Sequence, residues 1–189
     1  ALARLGWTRT LNPGTTLGIA AESSYGDTGT ELAKTAAVAN DPAAGTTTTS
    51  QNLVAQDIFY AKRGTAFFQR LDPTLITELR MTYGVLEFET LQQDDREETG
   101  GSVVLTYLFS STASAGVFGD RKQSRYTNIA LQDTDTSYGL RFSYRLTRML
   151  TATLGLSRSV RESTYPAHRF EDERVFLTLL YGGVLSRTQ

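Results

Sequence analysis

Tyr138-Gly139-Leu140-Arg141-Phe142-Ser143-Tyr144-Arg145-Leu146, then Thr147-Arg148-Met149-Leu150, then Thr151-Ala152-Thr153-Leu154-Gly155-Leu156, is the stretch whose reading decides the fold. In its first arm Tyr138, Leu140, Phe142, Tyr144 and Leu146 alternate with Gly139, Arg141, Ser143 and Arg145. A period of two sorts side chains onto two faces only in a strand. The second arm repeats the scheme, with Ala152, Leu154 and Leu156 set against Thr151, Thr153, Gly155 and Ser157. The stretch reads as a β-hairpin with one apolar face and one polar, cationic face, fitted to two different solvents.

The same alternation recurs on either side. Ala3, Leu5 and Trp7 oppose Arg4, Gly6 and Thr8 in a strand from Leu2 to Leu11. After Asn12-Pro13-Gly14, a second strand runs from Thr15 to Asp27, with Leu17, Ile19, Ala21 and Tyr25 on one side and Thr16, Gly18, Ala20, Glu22 and Ser24 on the other. Further strands are expected over Ile58 to Leu71, the least regular, then Leu75 to Thr90, Gly100 to Ser111 and Ala115 to Asn128, and a last one over Arg174 to Val184. Residues 28–57, rich in Thr, Ala, Gly and Asn, read as a long exposed loop in which Glu31 to Val38 has the makings of a short helical piece. Leu91 to Thr99, the segment around Asp133 to Asp135, and Glu162 to Glu173 read as polar loops. All four prolines (Pro13, Pro42, Pro73 and Pro166) fall in turns or loops, as a strand parsing requires.

The connections alternate in kind. Asn12 to Gly14, Asp72 to Thr74, Thr112 to Ser114 and Thr147 to Leu150 are short, and the loops between these hairpins are longer and polar. Short periplasmic turns alternating with longer outer loops are the pattern of an antiparallel up-and-down transmembrane β-barrel. Strand lengths suit a tilted crossing better than the five or six residues usual in soluble sheets. The competing reading is a soluble antiparallel barrel with its apolar face turned inward. Against it, the apolar rows carry many aromatics, and Trp7, Tyr25, Tyr83, Tyr107, Tyr138, Tyr144 and Tyr181 are expected near strand ends as an interfacial girdle. On the opposite phase Arg4, Glu22, Glu78, Arg80, Arg141 and Arg145 are the candidate lumen-facing charges. They would either select solutes or brace the wall as a ladder.

Totals narrow the remaining classes. The 189 residues carry a formal net charge of -1, so no global field recruits nucleic acid. There is no cysteine and one histidine, which removes thiolate and multi-histidine metal sites. No apolar run approaches the roughly 18 residues of a membrane helix, which leaves strand-spanning open. The start Ala-Leu-Ala-Arg, without Met, reads as processed or truncated. About nine strands are expected, whereas single-chain bacterial barrels have an even number. The chain is therefore expected to be the C-terminal part of a larger barrel, or to complete one with other chains or upstream strands.

Asp135 to Leu146, Thr153 to Leu156, and Tyr165-Pro166 through Glu171 to Leu179 resemble the C-terminal hairpins of the outer-membrane β-barrel (porin-like) family associated with exosortase and exopolysaccharide loci. Leu5-Gly6-Trp7-Thr8-Arg9 with Asn12-Pro13 resembles an earlier hairpin of that family. The resemblance covers the whole chain in architecture and about a third of it in wording. It implies a Gram-negative outer membrane, contact with its lipid and lipopolysaccharide, and transport of an exopolysaccharide with periplasmic export components as partners. It carries over no catalytic residue. One departure is the C-terminus, where many barrels end on an aromatic that the assembly machinery reads. Here Gly-Gly-Val-Leu-Ser-Arg-Thr-Gln follows Tyr181, so the signal is Tyr181 itself or absent.

Two other chemistries were weighed. His168 lies near Ser163, Glu171 and Asp172, a composition that outer-membrane hydrolases use, but no second signal marks an oriented nucleophile and base, and a solvated loop histidine is the expectation. Asp94, Asp95, Glu97 and Glu98 lack the glycine and ligand spacing of a calcium loop and read as a hydrated charged loop. No enzyme activity, cofactor or metal is expected. The function expected is that of a passive pore or conduit. The alternatives are a structural or adhesive barrel that binds a partner through its loops and, less favoured, a hydrolase.

Overall fold

The computed structural model describes residues 3–27 and 58–181. They form nine antiparallel strands paired in sequence order: β1 (Ala3–Asn12), β2 (Thr15–Asp27), β3 (Ile58–Leu71), β4 (Leu75–Phe88), β5 (Arg96–Leu108), β6 (Ala113–Tyr126), β7 (Gln132–Arg145), β8 (Leu150–Ser163) and β9 (Phe170–Tyr181). Every neighbour in the sheet is a neighbour in sequence. No pairing joins β9 to β1 among the described residues, so the sheet is an open up-and-down meander without the closure expected of a barrel. The expected loop over 28–57 and the expected continuation of the last strand to Val184 lie outside the described residues.

The turns at one end are set locally. The Asn12 side chain accepts the Gly14 N–H at 3.2 Å, closing the Pro13-Gly14 connection. Ser110 Oγ accepts the N–H groups of Thr112 and Ala113, and Thr147 Oγ1 those of Met149 and Leu150, so a hydroxyl stands in for a backbone acceptor in each turn.

At the other end β5, β7, β8 and β9 run further than the sequence reading had them, while β4 and β6 stop two residues short of it, at Phe88 and Tyr126. Asp133 and Asp135 lie in β7, Arg96 to Thr99 in β5, and Phe170 to Glu173 in β9, where loops were expected. The connections there shrink to residues 89–95, 127–131 and 164–169, with one-turn 3-10 helices at Gln92–Asp94 and Pro166–His168. The physical reason is that backbone pairing continues past the point where the outer face stops being apolar. The first two of these loops are stitched together: Asp95 accepts the Phe88 N–H at 2.7 Å, and Asn128 Nδ2 donates to Asp95 and to the Gln92 carbonyl.

The register defines a slope. One cross-strand row runs Leu17, Phe68, Leu79, Val103, Gly119, Tyr138, Arg158. Counted from the short-turn end of each strand, these are the third, fourth, fifth, sixth, seventh, eighth and ninth residues. The row climbs by one residue per strand, about 3.3 Å for each strand spacing of about 4.8 Å, which tilts the strands by about 35° from the perpendicular to the row of turns.

The two faces differ in burial, in the opposite sense to a soluble core. Every buried hydrophobic side chain (Phe59, Ala61, Leu86, Phe88 and Phe118) lies on the polar face. The apolar face is open, with Leu140 55%, Leu154 50% and Leu177 67% exposed. In a single-layer sheet, such shielding of one face arises when that face is concave and its side chains crowd together. The soluble alternative would turn these apolar side chains into a core, whereas among the described residues they lie on the exposed face of the sheet.

The small buried cluster explains why β3 reads as irregular. Phe59 and Ala61 face Phe88 and Leu86 across the β3–β4 ladder, the two phenyl rings lie 5.4 Å apart, and Leu91 packs against them. At this corner of the sheet both faces of β3 are apolar, so the period of two is blurred.

Candidate functional site

The concave polar face is the candidate site. All six expected lumen charges lie on it. Arg4 and Glu22 are register partners on β1 and β2, Glu78 and Arg80 sit two residues apart on β4, and Arg141 and Arg145 sit four apart on β7. The structure does not gather them into one cluster, since β3 separates the first group from the second and β5 and β6 separate the second from the third. Glu78 accepts from Gln69 Nε2 at 3.1 Å, and Arg141 donates to Thr106 Oγ1 at 3.3 Å. Arg80 and Arg145 are exposed and make no ion pair or side-chain hydrogen bond among the described residues.

The sequence reading missed most of the charge on this face. Arg96, Glu98, Lys122, Asp133, Asp135, Arg161, Asp172 and Arg174 project from it in the half of the sheet away from the short turns. Glu98 bridges two strands, at 2.8 Å from both Arg96 Nε and Lys122 Nζ. Burial pushes the Glu98 carboxyl up, but Lys122 and Arg96 together outweigh it and hold it below the usual carboxylate range. Arg161 clasps Asp135 with two nitrogens, at 2.5 and 2.7 Å, and Arg174 pairs with Asp172 along β9. Carrying the strand phase on through the supposed loops would have found these residues.

Between the charges, glycines serve as seats for aromatic rings. Gly18, Gly26, Gly139 and Gly155 each face a phenylalanine directly across the ladder, respectively Phe67, Phe59, Phe118 and Phe176. A Cβ on Gly18 would lie 2.6 Å from the Phe67 ring, and one on Gly26 2.7 Å from the Phe59 ring, well inside van der Waals contact. None of the described glycines has a positive φ, so space rather than backbone conformation demands the residue here. Rings laid over glycine fill the polar face without adding hydrogen-bonding groups.

The opposite face carries the expected aromatics. Trp7, Tyr25, Tyr83, Tyr107, Tyr138, Tyr144 and Tyr181 all point outward and are all exposed. Tyr107, Tyr144 and Tyr181 lie at the short-turn ends, as anticipated, and Tyr25 lies near the far end of β2. Tyr83, Tyr138 and Trp7 lie inside their strands, which corrects the expectation of strand ends. Tyr83 and Tyr138 nonetheless sit at a boundary. Outward of Tyr138 the next residues on that face are Thr136 and Thr134, beyond Leu156 comes Arg158, beyond Val175 comes Glu173, and beyond Gly119 comes Arg121. The boundary keeps level with the short turns and cuts obliquely across the hydrogen-bonded rows. One row leaves the apolar zone between Tyr138 and Arg158.

Among the described residues, the groups weighed for hydrolysis and for cation binding are not brought together. His168 Nδ1 lies 3.8 Å from Asp133 Oδ2 and its ring meets Tyr165 edge-on, while Ser163 Oγ accepts the Tyr165 N–H. No serine hydroxyl is hydrogen-bonded to His168 among the described residues. Glu97 and Glu98 point to opposite faces of β5, and Asp95 is occupied by Phe88 and Asn128, so the four carboxylates do not converge. No group of three or more histidine, aspartate or glutamate side chains is placed to hold a metal among the described residues. No protein-family model, characterised protein or solved structure matches the chain.

Proposed function

We propose that this sheet is the wall of a transmembrane β-barrel in a bacterial outer membrane, and that the barrel is a passive conduit for a polar solute. The observation that carries the reading is the outward apolar band bounded in level with the turns. Tyr138 to Leu146 on β7 and its turn, and Leu75 to Tyr83 on β4, each cover nine residues, the length of a tilted membrane strand. At about 3.4 Å per residue and a tilt of about 35°, nine residues give a band about 25 Å tall, the height of the apolar zone of outer-membrane barrels. Tyr107, Tyr144 and Tyr181 then mark the periplasmic interface, and Tyr83 and Tyr138 the outer one.

The concave face becomes the lumen. Arg80 and Arg145, in its lower half, make no ion pair among the described residues and present cations to a passing solute. The resemblance to barrels of exopolysaccharide loci makes a polysaccharide the solute class to test. The open edges at β1 and β9 are where further strands, of this chain or another, complete the wall. A second reading, a structural or partner-binding barrel, is favoured by the ion pairs of the upper half, where Glu98, Lys122, Asp135 and Arg161 neutralise one another and brace the wall.

Trp7 is the chain's single tryptophan and points outward, which makes it a reporter. In vesicles, its fluorescence is expected to be quenched by lipids brominated along the acyl chain and spared by aqueous iodide. Quenching by iodide alone, or folding in buffer without detergent or lipid, would remove the membrane reading. Single-channel recording in planar bilayers separates conduit from scaffold: conductance is expected, with anion preference reduced in R80E/R145E. A folded, inserted protein without conductance would leave the structural reading standing.

A further inference from the structure

On the outer face, charges above the apolar band are paired on β3, β4, β8 and β9. Arg158 binds Glu171 and Glu173, and Lys62 lies 3.8 Å from Glu87. Strand β6 is different. Arg121 and Arg125 project outward, are exposed, and make no ion pair or side-chain hydrogen bond among the described residues. Glu97 stands across the ladder from Arg125 yet lies beyond ion-pair distance. Gln123 lies between the two arginines on the same face, Thr136 is the register partner of Arg121, and Thr99 that of Gln123.

Directly below the arginines, the outer face holds a groove of about 440 Å³. Its floor on β6 is Ala115 and Val117, and Leu105 and Tyr107 on one side and Leu140 and Phe142 on the other form its walls. From Ala115 to Arg121 is six residues, about 20 Å along the strand and about 16 Å in depth after the tilt. That depth is about half of a hydrocarbon core of roughly 30 Å, the thickness of one leaflet.

We infer that β6 holds a membrane lipid with a phosphate headgroup, its acyl chain lying in the groove and its phosphate bound by Arg121 and Arg125. The assignment rests on the membrane reading above. Charge complementarity selects the headgroup, because two unpaired guanidinium groups four residues apart on one face present several donors to phosphate oxygens. The apolar groove beneath requires that the phosphate come attached to a hydrocarbon chain. A soluble phosphate would leave it empty.

The test uses the full chain folded in neutral detergent micelles, titrated with diphosphoryl lipid A and followed by native mass spectrometry and thermal unfolding. Wild type is expected to retain lipid A and melt higher in its presence. R121Q/R125Q is expected to bind about tenfold or more weakly, the scale of losing charge-assisted hydrogen bonds. A115F, which fills the groove from the lipid side, is expected to lose lipid A as well while still folding in micelles. Unchanged binding by R121Q/R125Q overturns the headgroup assignment, unchanged binding by A115F overturns the groove, and an equal shift from inorganic phosphate or dephosphorylated lipid A overturns the lipid itself. These failures are seen in a micelle-folded protein. Failure of the membrane reading shows instead as folding in detergent-free buffer.

Discussion

The glycines of the polar face allow a sharp perturbation test. Replacing Gly139 by alanine places a Cβ 2.5 Å from the Phe118 ring and closer still to the carbonyl oxygen of Leu156, which is backbone and has nowhere to go. At Gly155 the atoms met first all belong to the Phe176 ring, which turns on its own side-chain torsions. At Gly119, on the outer face, the closest atoms are 3.8 to 3.9 Å away, an ordinary contact. Overpacking costs about 1–3 kcal/mol, and removing glycine's extra chain entropy from a strand returns about 0.5–1 kcal/mol. The expected order is therefore Gly119→Ala neutral to slightly stabilising, Gly155→Ala mildly destabilising, and Gly139→Ala destabilising by about 1–3 kcal/mol. Urea titration of the lipid-embedded protein reads the series. With a slope of about 2–3 kcal/mol per molar urea, Gly119→Ala and Gly139→Ala should differ in midpoint by roughly 1 M. Pairing each variant with truncation of its ring sharpens the result. Phe176→Leu should restore Gly155→Ala nearly fully, whereas Phe118→Leu should restore Gly139→Ala only in part. Equal midpoints for Gly119→Ala and Gly139→Ala would refute the claim that space on the concave face dictates glycine there.

Two further outcomes follow from the same geometry. Leu140→Arg, in the middle of the outward band, should cost about 2–4 kcal/mol of stability in bilayers, while Ser143→Arg on the polar face of the same strand should cost far less; refolding yields into vesicles measure both. Because Glu98 is held below the usual carboxylate range, its contribution is fully present above the unfolded value and is lost as pH falls through the lower folded one. Glu98→Gln should accordingly flatten the acid limb of the stability profile, and Glu98→Ala should cost about 3 kcal/mol at neutral pH by stranding Arg96 and Lys122.

The strands from Thr15 to Asp27 and from Ile58 to Leu71 stand where the sequence places them, the first because alternation and turn residues agree there, the second because Asp72-Pro73-Thr74 marks its end although its alternation is blurred. The faces were also legible, since Arg141 and Arg145 against Phe142 and Tyr144 admit one assignment. Strand ends were not. Asp133, Asp135, Arg96 and Glu98 look like loop residues because their outward neighbours, such as Thr134 and Glu97, are polar too. Both faces are polar above the boundary, and alternation of hydropathy vanishes while the ladder continues. The Phe–Gly seats were hidden for a related reason: a glycine in a polar row looks like an absent side chain, and its partner is fixed only by register. The charge network of the upper polar face needed the ladder as well, since Asp135 and Arg161 meet across a hairpin and no local motif joins them.

The one-residue climb of each row bears on how faithfully the wall can be assembled. A strand that slipped by one residue would turn Arg141 to the apolar face and Leu140 to the polar one, an error of facing. A strand that slipped by two would keep its faces but shift height by about 7 Å along its axis, drawing Arg121 or Arg158 down into the apolar band. Odd slips are opposed by orientation and even slips by depth. Each hairpin thus has a single setting in which turn, aromatic rows and charge all lie at their proper levels.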